Sequence, residues 1–267
     1  MVYLTFLSFF MIGAILGSFY YVVAYRIPKG ESIISPPSHC PNCNHRLGPL
    51  ELVPIFSYLF QLGRCKNCKT KISIFYPLFE IACGLLFGFS YLSYGFSLEL
   101  IIVLSFVSMI MIIILSDIYY MIISDGVLIF FSILLFVEMF IIYGYKYAFA
   151  HLLYGVISFL IMYSLKLLGD FLFKKESMGG GDIKLLFVFG LMFGWQMSIV
   201  SIFLSAIIGL PISLIMLRKE SEHVIPFGPY LGIAAILIVL FKIDIVSAML
   251  ASHINQSINM SPSGGQL

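Results

Sequence analysis

The chain has 267 residues, 61% of them hydrophobic and only 10% charged, with a net charge of +2 and a mean hydropathy of +1.05. Soluble domains average about 25% charged residues, so this composition excludes that class and gives an all-α polytopic membrane protein with the lipid bilayer as its partner. So small a net charge also argues against nucleic acid as a partner.

Eight apolar segments follow in chain order, at about 3–25, 77–94, 98–116, 126–143, 148–168, 184–194, 197–217 and 226–249. Each is close to the roughly 20 residues needed to cross the hydrocarbon core. The sixth is the weakest, because Gly194-Trp195-Gln196 follows Lys184 after only about ten residues. The first is not a cleavable signal peptide: it lacks a basic start and runs into Tyr25-Arg26 without a small-residue cleavage site. The expected organisation is a first helix over 1–25, a cytosolic metal-binding insert over 26–76, a catalytic membrane domain over 77–249 and a polar tail over 250–267.

Basic residues fix the expected orientation. Arg26, Lys29, Arg46, Arg64, Lys66, Lys69 and Lys71 follow the first segment; Lys166, Lys174, Lys175 and Lys184 surround a glycine run; Arg218 and Lys219 follow the seventh. With eight spans all of these lie on one side, and only Lys146 and Lys242 lie on or near the other. The positive-inside rule makes the rich side cytoplasmic, with both termini outside.

The long polar insert carries Cys40-Pro41-Asn42-Cys43 and Cys65-Lys66-Asn67-Cys68. Two Cys-x-x-Cys knuckles about twenty residues apart suit tetrahedral zinc held by four thiolates. Disulfides are disfavoured in the cytosol. A segment of some fifty residues has too little core to fold alone, and a metal supplies what is missing. Four cysteines close the coordination shell, so the zinc is expected to be structural. His39 and His45 are expected to have surface roles, and Cys83, in an apolar run, reads as a small core residue.

Most of the 13 acidic residues lie in loops or at their edges. Glu138 lies inside the fourth apolar segment and needs a partner there. Asp117, Asp125 and Asp182 remain, with Glu80 as an outer member, all at the cytoplasmic ends of spans. Asp182 belongs to Met178-Gly179-Gly180-Gly181-Asp182-Ile183-Lys184, where three glycines open backbone conformations closed to other residues and allow a close approach. The blander reading of Asp182, and of Asp125 with Ser124, is a helix N-cap. Asp117 has no such role, since a carboxylate is disfavoured at a helix C-terminus. Two carboxylates within hydrogen-bond reach share a proton and together act as acid and base on a peptide bond. No Gly-x-Ser-x-Gly or His-Glu-x-x-His motif offers another chemistry.

Together these residues resemble the type IV prepilin peptidase family, the leader peptidase/N-methyltransferases of the Gly-x-Gly-Asp aspartic class. The resemblance runs through Gly17 to Pro28, Ser38 to Cys43, Leu52 to Tyr58, Gly63 to Cys68, Ile72 to Glu80, Gly179 to Lys184 and Ile225 to Tyr230. Tyr21 departs from the family's usual asparagine, and Leu50-Glu51-Leu52 from Asp-Asn-Ile. The resemblance implies that Asp117 and Asp182 are the catalytic pair. It implies cleavage of prepilins and pseudopilins after glycine at the cytoplasmic membrane face, then methylation of the new N-terminus with S-adenosylmethionine. It leaves the S-adenosylmethionine-binding residues and the oligomeric state open. Glu51, Glu80 and Glu176 are expected to attract the basic leader. A transporter is the rival class, because intramembrane acids and glycine breaks also mark transport paths. A membrane-anchored zinc-ribbon scaffold is a third reading, and it leaves Asp117 and Asp182 without a role.

Overall fold

A computed structural model describes residues 2–174, 178–217 and 226–243. Lys175, Glu176, Arg218, Lys219, Glu220, Glu222, Ile225, the end of the eighth segment from 244 and the polar tail lie outside the described residues. Nine α-helices form among them: α1 (Val2–Arg26), α2 (Phe56–Phe60), α3 (Phe75–Tyr94), α4 (Leu98–Tyr120), α5 (Asp125–Tyr143), α6 (Tyr145–Phe173), α7 (Gly180–Phe193), α8 (Trp195–Leu217) and α9 (Gly228–Leu240). All but α2 occupy the eight apolar segments of the sequence, and no strand occurs among the described residues.

Six of these helices, α1, α3, α4, α5, α6 and α8, are long and apolar enough to cross a membrane, so the chain is a multi-pass membrane protein. Among the described residues the expected count of eight is not confirmed. α7 and α9 have 14 and 13 residues, about 21 and 20 Å of helix against a core of about 30 Å. α6 goes the other way, continuing to Phe173 where the sequence suggested 168. Its polar stretch stays helical with an i,i+4 pair of Lys166 and Asp170 at 3.4 Å.

α4 is the centre of the bundle. It is apolar around most of its surface, with Phe106, Met109, Ile110 and Ile113 fully buried, as a helix enclosed by others must be. Small residues let the other helices close up. A Cβ on Gly13 of α1 would meet the Cys83 carbonyl oxygen of α3 at 2.6 Å, and one on Gly155 of α6 would meet the Phe187 carbonyl oxygen of α7 at 2.9 Å. With little hydrophobic drive between helices in lipid, such close backbone contact is a main source of cohesion. Cys83 is buried against Gly17, the small core residue expected of it. Glu138 finds its partner in Ser105 of α4 at 2.7 Å. That is twelve residues, about 18 Å of helix, from Asp117.

Candidate functional site

Asp117 lies in the last turn of α4 and is buried, 6% exposed. Its Oδ2 accepts the backbone N–H of Gly228 at 3.1 Å. Gly228 is the first residue of α9, so the carboxylate disfavoured by the end of its own helix meets the positive end of another. A Cβ on Gly228 would stand 2.6 Å from Asp117 Oδ2, so only glycine allows this approach. α4 stops at Met121, whose left-handed backbone (φ 53°) turns the chain back and whose N–H bonds to the Asp117 carbonyl. The Ser116 hydroxyl donates to the Ile122 carbonyl at 2.6 Å and ties the turn down.

Asp182 is the third residue of α7 and is 8% exposed. The N-cap is Gly179, and it makes no side-chain cap bond, so Asp182 is not the cap. The glycines also differ from expectation. Gly179 is extended (φ −68°), Gly180 and Gly181 open the helix, and none of the three has a positive φ. Their use is closeness, and only at one position. A Cβ on Gly181 would meet Ile123 Cβ at 2.8 Å, whereas Gly180 faces open space.

Ile123 joins the two halves. It packs on Gly181, next to Asp182, and lies 3.4 Å from where a Cβ on Gly228 would be, beside Asp117. The ends of α4, α7 and α9 therefore meet around one apolar side chain, and Asp117 lies close enough to act electrostatically on Asp182. Two buried carboxylates that sense each other's charge are suited to work as acid and base on one bond.

Asp125 is not part of that pair. Ser124 is the N-cap of α5, and both Asp125 oxygens are bonded by Lys184 Nζ, at 2.7 and 2.8 Å. This exposed bridge ties the start of α5 to α7, two residues beyond Asp182. Glu80, in α3, is also committed elsewhere. It accepts the Ile55 N–H at 2.7 Å, where Ile55 has a left-handed φ of 65°. It fastens the cysteine insert to the membrane helices. Gly228 and Ile123 were not identified from the sequence as site residues. Gly228 sits in the last signature segment, but nothing in the sequence marks Ile123.

The insert holds a second cluster. The sulfurs of Cys40, Cys43, Cys65 and Cys68 lie within 4.8 Å of one another and could hold a metal ion. Cys40 and Cys68 are 3.8 Å apart, Cys43 and Cys65 3.9 Å. Thiolates at 2.3 Å around tetrahedral zinc stand about 3.8 Å apart, so the spacing suits that ion. The two knuckles repeat each other. Cys40 N–H bonds the His45 carbonyl and Cys65 N–H the Thr70 carbonyl, both at 2.9 Å. Asn44 and Lys69 take matching left-handed conformations. Asn42 and Asn67 each donate to a sulfur of the opposite knuckle at 3.7 Å.

The sulfurs titrate unequally. The Thr70 side chain and backbone, then Asn42, bring the Cys68 thiol down to about 5. Cys43 rises to about 11: its backbone bond to His45 favours the thiolate, but desolvation and the Cys68 and Cys40 sulfurs outweigh it. Four thiolates this close need a cation among them. His39 bonds the Pro37 carbonyl and His45 pairs with Glu51 at 3.1 Å, so neither joins the cluster. The Gly48 N–H, then His45, holds the Glu51 carboxyl below its usual range.

Residues 11–94 match the Bacterial Peptidase A24 N-terminal domain, and residues 104–214 match the Type IV leader peptidase family. A prepilin leader peptidase/N-methyltransferase of Bacillus subtilis is 36% identical over 241 residues, covering 89% of this chain and 95% of that protein. The chain belongs to the type IV leader peptidase family. Proteins with the same description from Stutzerimonas stutzeri and Pseudomonas aeruginosa are 32% and 33% identical. They cover 90% and 84% of this chain and 92% and 86% of their own lengths. No solved structure matches the chain. The two matched regions divide as the two clusters do, with the cysteines in the first and Asp117 and Asp182 in the second.

Proposed function

We propose that this protein is an aspartic endopeptidase that removes the short basic leader of type IV prepilins and pseudopilins after glycine, and then methylates the new N-terminus. The single observation that carries the peptidase reading is the meeting of Asp117 and Asp182, both buried, around Ile123 and the N-terminus of α9.

The chemistry follows from their surroundings. The Gly228 N–H supports negative charge on Asp117, which suits it to be the base. Asp117 takes a proton from water as the oxygen attacks the scissile carbonyl carbon. Asp182 gives its proton to the carbonyl oxygen. On collapse, the C–N bond breaks, Asp117 returns its proton to the leaving amine, and Asp182 recovers its own from the hydroxyl. Burial keeps bulk water from the pair, so each charge acts strongly on the other.

Zinc, held by Cys40, Cys43, Cys65 and Cys68, would supply structure and no reactive water, because four sulfurs leave no open position. S-adenosylmethionine would supply the methyl group, as the relatives' name implies. The basic residues after α1 and around α7 support a cytoplasmic position for the zinc insert and both aspartates. The chain then divides into the first helix, an insert over 26–76, the catalytic membrane domain and the tail. Of the acids expected to attract the basic leader, Glu51 is engaged within the insert and Glu80 between α3 and the insert, and Glu176 lies outside the described residues.

The test is cleavage by purified protein in detergent or nanodiscs of a precursor with a basic leader, a Gly-Phe junction and an apolar helix. Mass spectrometry reads the product with and without S-adenosylmethionine. The expected product starts at phenylalanine and carries one methyl group. An intact precursor with folded, zinc-loaded protein would overturn the peptidase reading, and an unmethylated product would remove the second activity alone.

A further inference from the structure

Five tyrosines gather where α1 and α4 end and α3 begins, beside the insert. Tyr21 stacks on Tyr76 at 4.1 Å and meets the edge of Phe79 at 6.0 Å. Its hydroxyl lies 2.6 Å from that of Tyr119. Tyr119 touches Tyr120, and Tyr120 lies 5.7 Å from Tyr25 at a tilt of 59°. The ammonium of Lys29, carried on the 3-10 turn Ile27–Lys29, stands 3.8 Å from the Tyr25 ring centroid and 5.7 Å from that of Tyr120. Both distances are within the reach of a cation–ring attraction.

This is not an ordinary belt of interfacial tyrosines, which present their hydroxyls to headgroups. Here the inner rings are locked by stacking and hydrogen bonding, and Tyr21 is 7% exposed. The Tyr120 hydroxyl is buried and has no hydrogen-bond partner. The outer ring of Tyr25 stays 41% exposed, and Glu31 acts on it electrostatically. The result is a pair of ring faces beside a locked cluster, one of them exposed, with negative charge near by.

We propose that Tyr25 and Tyr120 form a seat for an organic cation, which Lys29 fills at rest and yields to an incoming cationic group. The inference rests on the protease reading for what arrives there. Tyr120 follows Asp117 by three residues on α4, less than one helical turn, so a ligand in the seat lies next to the catalytic end. Two sources fit the chemistry: a lysine or arginine of the leader, and the sulfonium of S-adenosylmethionine. With Glu51 and Glu80 bonded internally, the rings and the exposed Glu31 beside them are partners for the leader's charge.

The test is calorimetric binding to the full-length protein, run also on Asp182→Asn so that it does not depend on cleavage. Three ligands are compared: a lysine-containing leader peptide, the same peptide with norleucine for lysine, and S-adenosylmethionine. Lys29→Gln, an exposed change, should tighten the cationic ligand roughly two- to fivefold, the scale of one exposed ring–cation contact, and Tyr25→Leu should weaken it by a similar factor. Tyr25→Phe, which keeps the ring, should match the parent, and the norleucine peptide should not respond. Changes confined to the lysine peptide assign the seat to the leader; changes confined to S-adenosylmethionine assign it to the methyl donor. Unchanged binding of both overturns the proposal. So does a Lys29→Gln gain that persists in Tyr25→Leu, because general charge repulsion then explains it. Failure of the protease reading appears separately, as intact precursor in the cleavage assay.

Discussion

The two clusters that mark this molecule, the aspartates and the cysteines, are built in opposite ways. The aspartate site is made of helix ends set against a packed bundle. Asp117, Ile123, Asp182 and Gly228 are held by burial, one backbone hydrogen bond and glycines that let chains close up. The cysteine insert has only short turns, one five-residue helix and mostly exposed side chains. Its order comes from two matching knuckles, four sulfurs and a few polar bonds. A site inside the bundle takes its precision from packing, whereas the insert depends on what its cysteines bind.

The sharpest way to break this comparison is at the carboxylates. Asp117→Asn and Asp182→Asn should each lower kcat for cleavage by about 10²- to 10⁴-fold, the weight of a general acid or base, with unchanged helical content and zinc. Loss of zinc together with activity would join the two regions that the comparison separates.

The next effect belongs to the insert. Structural zinc sites contribute about 10–16 kcal/mol at neutral pH, so chelation, or Cys65→Ser, should unfold the insert and leave the helical circular dichroism of the bundle nearly intact. Zinc retention should also fall as pH is lowered, because protons compete with the metal for the thiolates. The Glu51 carboxyl, held below its usual range, adds stability that is present above the unfolded value and lost as pH falls through the folded one. Zinc release on raising the pH from 7 to 8 would contradict this.

Glycine substitutions sharpen the packing half. Gly228→Ala places a Cβ 2.6 Å from Asp117 Oδ2, and Gly181→Ala one 2.8 Å from Ile123. At about 1–3 kcal/mol for overpacking, each should slow cleavage roughly ten- to hundredfold. Gly180→Ala, facing open space, should be close to wild type. Equal losses at 180 and 181 would show that flexibility, and not closeness, is what the run supplies. The smallest effect is expected at Asp125→Asn, which removes an exposed bridge to Lys184 worth about 0–1 kcal/mol. Cleavage should change by no more than about fivefold.

Much of this was legible in the sequence, because hydropathy marks helices and Cys-x-x-Cys spacing marks a metal cluster. The eight apolar segments are eight helices, Asp117 lies in the last turn of α4, Asp182 in the first turn of α7, and the four cysteines cluster. What escaped was tertiary. Apolar length could not show that α7 and α9 stop at 14 and 13 residues, since flanking apolar residues read as helix. The glycine run read as a backbone device, but its φ values are ordinary, and the need for Gly181 exists only because Ile123 packs there. Glu80 read as an outer member of a carboxylate group; its bond to Ile55 depends on how the insert folds back onto α3.

The central claim is that Asp117 and Asp182 act as one catalytic unit. A double-mutant cycle tests it most directly, with single-turnover cleavage of the same precursor by Asp117→Asn, Asp182→Asn and the double variant. Residues that act as a unit are strongly non-additive, so the double variant should be no slower than the slower single variant. Losses that multiply would mean two independent contributions and would contradict the shared-proton pair.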